Sequence, residues 1–397
     1  MFSKLQITII GKVFKPNLNK LLKLNKILDE YFKCVKWYLS FNSTSKKLLH
    51  EEKYEEAKNR FSLKTALIQS ARDKAVEILK SFKKVKKEHS NLTPKYICIR
   101  FDKRSYRLDK TNNTLTPYWL SLSLNGNGRT SFPIIFGKRE KFIEEAFNGG
   151  YCFKSLEMKK RDGSWYSHFT LEKEVMVPDE PETVIGIDRG EKNFAVGVAF
   201  LKEAPDKPKK GIFWNGSKIK AEKGKYHHIR RNLGKKKTPQ MIRKIRNKLK
   251  EKTDQQLHIL ANEIIDYVSQ FEKPIIVLEN LTHIRKSFKK GIKSKKLNRR
   301  MNSLPFRKLQ EYIKYKALQK GFQTIYIDPK NTSKVCHRCG FINHVEYRRN
   351  YECSQCGLEY DRDLNVSINI AHRIMNSMGW GICECPKQSN DVKIVKT

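Results

Sequence analysis

The stretch TVIGIDRGEKNFAVGVAF, residues 183–200, decides how the fold is read. TVIGIDRG is an apolar run of the kind found in a strand buried on both faces, and it ends on the carboxylate of Asp188. After a tight turn, EKNFAVGVAF is a second such strand, and GIFWNG (211–216) a third, so the three form a meander. Downstream, Leu257, Leu260, Ala261, Ile264, Ile265 and Val268 recur at helical spacing, and Pro274 then opens the strand PIIVLEN. Phe306, Leu309, Ile313 and Ala317 mark one face of another helix, Gly321 caps it, and QTIYIDP is a fifth strand. A cysteine-rich segment interrupts, and a last helix runs from about Asp363 to Met378.

Three meandering strands followed by helix, strand, helix, strand and helix is the element order of an RNase H-like nuclease domain. Order alone is a weak warrant, because such patterns recur across α/β proteins. Three carboxylates strengthen it. Asp188 ends one apolar strand, Glu279 ends another, and Asp363 opens the last helix, so all three can converge at one sheet edge. Phosphodiester hydrolysis with two Mg²⁺ ions needs such hard oxygen ligands, one ion activating water and the other stabilising the leaving oxygen. Any one of these acids taken singly is also explained as a capping or turn residue; the three in this order favour a metal site.

Cys336-His-Arg-Cys339 and Cys353-Ser-Gln-Cys356 are two CxxC knuckles separated by thirteen residues, each followed by glycine (Gly340, Gly357). The glycines suit turns in which backbone amides approach thiolates, and four such ligands make a closed tetrahedral structural Zn²⁺ site. His337 and His344 read as surface residues rather than ligands. Cys383 and Cys385 form no second complete set, and Cys34, Cys98 and Cys152 read as buried apolar residues.

The composition names the partner class. Lys+Arg number 82 against 41 Asp+Glu in 397 residues, a net charge of +41 at pH 7. A compact chain with that excess repels itself unless a polyanion offsets it, which excludes an ordinary metabolic enzyme as the default and points to nucleic acid. A thermophile's lysine-rich surface would bring matching glutamates. The basic residues cluster in HHIRRNLGKKKTPQMIRKIRNKLKEK, which holds Arg230, Arg231, Lys235 and Lys236, and in Arg285–Arg300. In the second run, which includes Lys289, Lys290, Lys295 and Lys296, nine of sixteen residues are Lys or Arg and none is acidic. A solvated face or a nuclear-localisation signal are the competing readings of such runs. Hydrophobic residues at 39% suffice for real cores, and no apolar run approaches the ~18 residues of a membrane span. The start carries no small-residue cleavage site, so the chain is expected to be neither membrane-bound nor secreted. Two CxxC pairs with scattered remaining cysteines suit metal binding in a reducing compartment.

Before PDEPET (178–183), a proline- and acid-rich hinge, the pattern is different. A strand over Gln6–Phe14 is followed by a helix with Leu21, Leu24, Leu28, Tyr31, Val35 and Tyr38 on one face, and by another with Ile68, Ala71, Ala75, Ile78 and Phe82. From Tyr96 the period becomes two, through Ile97, Ile99, Phe101, Leu120, Leu122, Leu124, Phe132, Ile134 and Phe136, and a hairpin turns at Asp162-Gly163. This predicts a small β-barrel interrupted by a helical insertion.

IGIDRGEKNFAV, IIVLENL, LPFRKLQEYIKYKALQKG, IDPKNTSKVCHRCG and YECSQCGLEYDRDLNVSINIAHR, in that order, resemble the RuvC and zinc-ribbon half of TnpB. TnpB proteins are transposon-encoded RNA-guided nucleases, from which the compact type V CRISPR effectors derive. The likeness covers roughly 183–378 and extends weakly over the first 180 residues, which resemble the family's wedge and recognition regions. It implies a wedge barrel whose first strand lies in 1–16, a recognition insertion over 17–92, and the rest of the barrel over 93–180. A RuvC-like domain follows over 181–332, with a zinc ribbon at 333–360, the last RuvC-like helix at 361–378 and a flexible tail at 379–397. By motif, the catalytic, Mg²⁺-binding acids fall on Asp188 in GIDRG, Glu279 in LEN and Asp363 in DLN. Asp361 is the nearby competitor, and the family's Asp-x-Asn before the helix favours Asp363. VSIN (366–369) stands where the family often has two alanines.

The resemblance further implies a monomeric prokaryotic cytoplasmic effector, nucleoid-associated when acting, that holds a guide RNA and reads a short motif beside double-stranded target DNA. One RuvC site then cuts, and base pairing supplies most sequence discrimination. A miniature CRISPR effector is the rival within the family. A nuclease-dead repressor would have lost an acid; a cut-and-paste transposase usually ends its acid set on Glu; a transposase accessory factor or a plain zinc-ribbon DNA-binding protein would not cleave in Mg²⁺.

Overall fold

The computed structural model describes residues 2–85, 92, 94, 96–126, 128–281, 304–344 and 350–380, which form two compact units. The chain passes from one to the other at Glu174/Val175.

In the first unit, β1 (Phe2–Val13) precedes three helices, α1 (Leu18–Ser40), α2 (Lys46–Arg60) and α3 (Thr65–Val85). Six strands follow: β2 (Ile99–Phe101), β3 (Tyr106–Lys110), β4 (Tyr118–Leu122), β5 (Thr130–Phe136), β6 (Cys152–Arg161) and β7 (Ser164–Met176), with α4 (Glu140–Phe147) before β6. They build one seven-stranded sheet in the order β2-β6-β7-β1-β5-β4-β3, so β2 and β3 stand at its two ends. Period-two alternation buries Tyr118, Leu120 and Leu122 on one face, and Asp162, with φ of 48°, and Gly163 turn the β6–β7 hairpin. Asn17 caps α1, which buries Leu24, Ile27, Tyr31, Cys34, Val35 and Tyr38. The sequence reading does not contain α2, because KKLLHEEKYEEAKNR buries only Leu49 and Ala57 and so shows no apolar stripe. Nor are all three remaining cysteines buried: Cys34 is, Cys98 is half-buried with its thiol donating to Glu157 at 3.1 Å, and Cys152 is exposed.

The second unit holds a five-stranded sheet ordered β10-β9-β8-β11-β12, from β8 (Thr183–Asp188), β9 (Asn193–Leu201), β10 (Ile212–Asn215), β11 (Pro274–Glu279) and β12 (Gln323–Ile327). β8, β9 and β10 run antiparallel as a meander, while β11 lies parallel between β8 and β12. This is an RNase H-like α/β arrangement. Two helices, α5 (Ser217–Lys235) and α6 (Pro239–Val268), separate β10 from β11, and α7 (Phe306–Gln319) precedes β12. The short ribbon strands β13 (Asn350–Glu352) and β14 (Glu359–Asp361) lead into α8 (Arg362–Ser377). The basic run around Arg230 is therefore helical, and α6 buries side chains only from Leu257 onward.

Alternation sorts the core into two layers. Ile185, Ile187, Ile276 and Leu278 pack with residues of α6 and α7, whereas Val184, Ile275 and Val277 pack with Val366, Ile370, Ile374 and Met375 of α8. Gly186 belongs to the α8 face, and a Cβ there would lie 2.1 Å from the Ser367 carbonyl and 2.8 Å from the Ala371 nitrogen. The helix backbone thus rests on the strand backbone. Gly186→Ala is expected to force the two apart and to cost about 2–3 kcal/mol. Gly224→Ala, on α5 with nothing within 4 Å of its Cβ position, should be neutral or stabilising by up to about 1 kcal/mol. Thermal unfolding of the two variants side by side checks the contrast.

Candidate active site and zinc centre

Parity and register place the acids. Ile187 and Leu278 are partners across β8 and β11, so Asp188 and Glu279 follow at equivalent positions on adjacent parallel strands, on axes about 4.8 Å apart. Both belong to the series that faces α8, since Val184 and Gly186 precede Asp188, and Ile275 and Val277 precede Glu279. Asp363 comes from the first turn of α8 itself. Asp188 is half-buried and Glu279 is 9% exposed. Burial first, then the negative charges of Glu279 and Asp363, push the Asp188 carboxyl well above the usual carboxylate range. Glu279 is also raised, chiefly by burial, against the opposing pull of Thr332, Arg189 and Arg373. A buried carboxyl whose ionisation is opposed by two neighbouring carboxylates belongs to a donor set short of positive charge, which fits hard divalent cations.

Other side chains hold these acids in place. Arg189, 5% exposed, donates to Gln310 Oε1 at 2.6 Å and to the Glu279 carbonyl, so it ties the ends of β8 and β11 to α7. Its buried Nε has no hydrogen-bond partner among the described residues. In the β8–β9 turn the Gly190 N–H donates to the Asn193 carbonyl at 3.0 Å, and Asn193 Nδ2 donates to Asp363 Oδ2 at 2.9 Å. Asp361 does something else: it is the N-cap of α8, its Oδ1 accepting from the N–H groups of Asp363 at 2.9 Å and Leu364 at 3.1 Å. The two aspartates of DRD are thus separated by role.

The four sulfurs of Cys336, Cys339, Cys353 and Cys356 lie within 4.8 Å of one another. Each knuckle repeats one pattern. The Gly340 N–H donates to the Cys336 carbonyl and the Gly357 N–H to the Cys353 carbonyl, both at 2.9 Å, with φ of 73° and 66° at the glycines. Buried Asn343 joins the knuckles, its Oδ1 accepting from the Ser354 N–H at 2.9 Å and its Nδ2 donating to the Tyr351 hydroxyl. Burial pushes the Cys336 thiol up to about 12, whereas at Cys353 burial is outweighed by the Cys356 N–H and Asn343, which hold the thiol down at about 6. The donor set fits Zn²⁺. His337, read as a surface residue, is instead half-buried beside Tyr360 and hydrogen-bonded to Asn365, because the ribbon packs its first knuckle against α8. His344 is exposed.

Arg231, Lys235 and Lys236 are exposed on α5 and its end, and Arg230 is half-buried with its Nε donating to the Tyr226 carbonyl at 3.4 Å. Lys289, Lys290, Lys295 and Lys296 lie outside the described residues, as do Cys383 and Cys385. Among the described residues no helix is long and apolar enough to cross a membrane. The supporting residues Arg189, Asn193 and Thr332 escape sequence reading. Asn365 and Asn369 do carry a signal, as two amides four residues apart among the apolar Val366, Ile368, Ile370 and Ala371 of a helix.

Comparison with known proteins agrees with this fold. Residues 306–370, which span α7, the ribbon and the start of α8, match the family model "Cas12f1-like, TNB domain". The TnpB-like protein MJ0751 of Methanocaldococcus jannaschii is 32% identical over 247 residues, covering 60% of this chain and 84% of that protein. The CRISPR-associated endodeoxyribonuclease Cas12f2 of a Micrarchaeota archaeon is 26% identical over 320 residues, covering 74% of this chain and 58% of that protein. Among solved structures, Cas12f1 in its complex with sgRNA and target DNA superposes with a TM-score of 0.67 at 17% identity, over 89% of this chain and 82% of that one. An RNase H-like sheet with an acid-lined edge and an inserted four-cysteine ribbon defines the class. The chain belongs to the TnpB-like proteins.

Two outcomes are expected here. Cys353→Ser should take zinc from about one ion per chain toward none and destabilise the ribbon, whose small buried cluster has little else to hold it, as read by metal analysis and melting. Asp361→Ala should lower stability by about 1 kcal/mol through loss of the cap, and Asp361→Asn, which caps equally well, should not.

Proposed function

We propose that the chain is an RNA-guided DNA endonuclease encoded by a mobile element, with Asp188, Glu279 and Asp363 as its RuvC-type active site. The convergence of the three acids at one edge of the sheet carries this reading, and the endodeoxyribonuclease named in Cas12f2 supports it. The greater coverage of a TnpB-like relative than of Cas12f2 favours the mobile-element context over a CRISPR one. Mg²⁺ held by the three carboxylates would supply the activated water and neutralise charge on the scissile phosphate. The chain's own part is to keep three carboxylates together against their repulsion, which the β8–β11 register, Arg189 and Asn193 do. Zn²⁺ held by Cys336, Cys339, Cys353 and Cys356 would be structural, since four thiolate donors leave no place for a reacting water.

Guide RNA and double-stranded target DNA are the polyanions that the +41 charge would serve, with α5 and the N-terminal half of α6, rich in Lys and Arg, as a phosphate-contacting surface. The first unit, a sheet with helices inserted after its first strand, takes the part of the wedge and recognition module that reads the target-adjacent motif. The effector acts as a monomer.

Asp188→Ala should lower guide-directed cleavage of a matched plasmid by at least about 10²–10³-fold, the scale of removing electrostatic stabilisation from a reacting centre. Binding of guide and target should persist, because affinity is spread over many phosphate contacts. Glu279→Ala should not add to that loss, since ligands of one centre act as a unit. Cleavage assays beside gel shifts, with sequencing of the RNA that co-purifies, decide the matter: wild-type cutting by the variant, or only random cellular RNA, would sink the reading.

A further inference from the structure

Glu279 is the least freely placed of the three acids, and one neighbour decides where its carboxylate points. The hydroxyl of Thr332, itself 2% exposed, lies 2.5 Å from Glu279 Oε1 and 2.9 Å from the Pro329 carbonyl. A hydroxyl has one proton to give, and an ionised carboxylate is the stronger acceptor. Thr332 is held in turn from the helix opposite. Its carbonyl accepts from Asn369 Nδ2 at 2.9 Å, and the same nitrogen reaches the Val335 carbonyl at 2.7 Å. Asn365 Nδ2 donates to that carbonyl at 2.9 Å, and Asn365 Oδ1 accepts from the His337 N–H at 3.1 Å. Val335 and His337 flank Cys336. The first zinc knuckle, Thr332 and the helix that carries Asp363 are therefore one hydrogen-bonded assembly that ends on Glu279.

We propose that Thr332 is a positioning residue for Glu279, through which the root of the zinc ribbon holds this carboxylate in its metal-binding orientation. The proposal rests on the reading of Asp188, Glu279 and Asp363 as a divalent-metal site. Outer hydrogen bonds to a ligating carboxylate fix its rotamer before the metal arrives, and their loss costs about 10–100-fold in metal affinity. Thr332 suits the task because a β-branched side chain has few χ1 states, so its hydroxyl is aimed as well as present.

The test uses the full chain carrying its co-purified RNA and compares wild type, Thr332→Val, Thr332→Ser and Asp188→Ala. Mn²⁺ is the probe, its binding measured by calorimetry, with zinc per chain and the Mg²⁺ concentration for half-maximal cleavage measured on the same samples. Thr332→Val should bind Mn²⁺ about 10–100-fold more weakly and need correspondingly more Mg²⁺, with zinc unchanged and cleavage largely recovered at saturating Mg²⁺. Thr332→Ser, which keeps the hydroxyl, should stay near wild type. Wild-type Mn²⁺ affinity in Thr332→Val overturns the proposal. So does an equal defect in Thr332→Ser, or loss of zinc from Thr332→Val, because either assigns the effect to packing of the ribbon root. Mn²⁺ binding that Asp188→Ala leaves intact would overturn the three-acid reading and this proposal with it.

Discussion

The contact of α8 with β8 at Gly186 is the constraint on which the second unit is built. Helices usually meet a sheet through side chains, but here the Ser367 carbonyl would lie 2.1 Å from a Cβ on the strand, so backbone meets backbone. Ser367 makes the same approach useful, because its hydroxyl reaches the Val196 carbonyl of β9 at 2.9 Å as well as the Asp363 carbonyl of its own helix. VSIN, where two alanines would be ordinary in this family, is thus explained locally: Ser367 is small enough for the approach, and Asn369 serves the ribbon. With the helix pinned at its second turn, Asp363 in its first turn is brought to the edge where Asp188 leaves the sheet.

That approach has an electrostatic consequence. A chain of net charge +41 gathers three acids at one partly buried edge and, among the described residues, encloses beside them Arg189, whose donors go to Gln310 and to a backbone carbonyl rather than to a carboxylate. Arg189 therefore fixes the scaffold and leaves the carboxylate oxygens to another partner. The basic helices elsewhere would supply long-range attraction for a polyanion, steering and holding it without neutralising this edge.

How much of this is legible in the sequence follows from what each element uses to fold. β8, β9 and β11 are buried on both faces, so their composition alone announces them, and the acids that end β8 and β11 stand out against apolar runs. The cysteine knuckles are legible because thiolate geometry fixes their spacing. α2 and the first half of α6 are not, because they bury almost nothing and their helicity rests on propensity and neighbours that a periodicity reading does not see. Asn193 is the first residue of β9 and Thr332 lies in a turn, positions where the sequence offers no face or period, and their roles arise only when the β8–β9 turn and the ribbon root fold against the acids.

The ribbon's place in the chain gives it a role beyond gathering four thiols. It fills the long connection between β12 and α8, and both of its ends lie at the acid site: Thr332 on Glu279 at the start, and Asp361 capping the helix that carries Asp363 at the finish. A connection of that length left open would let its two ends wander, at an entropic cost that grows only slowly with length but lands on the residues needing the firmest placement. A tetrathiolate centre removes that freedom outright, and the amides of Asn365 and Asn369 carry the rigidity back to the helix. The four cysteines that close the ribbon and the carboxylates at the sheet edge are then parts of one mechanical unit, in which a Zn²⁺ ion held by the thiolates would contribute order to the acids.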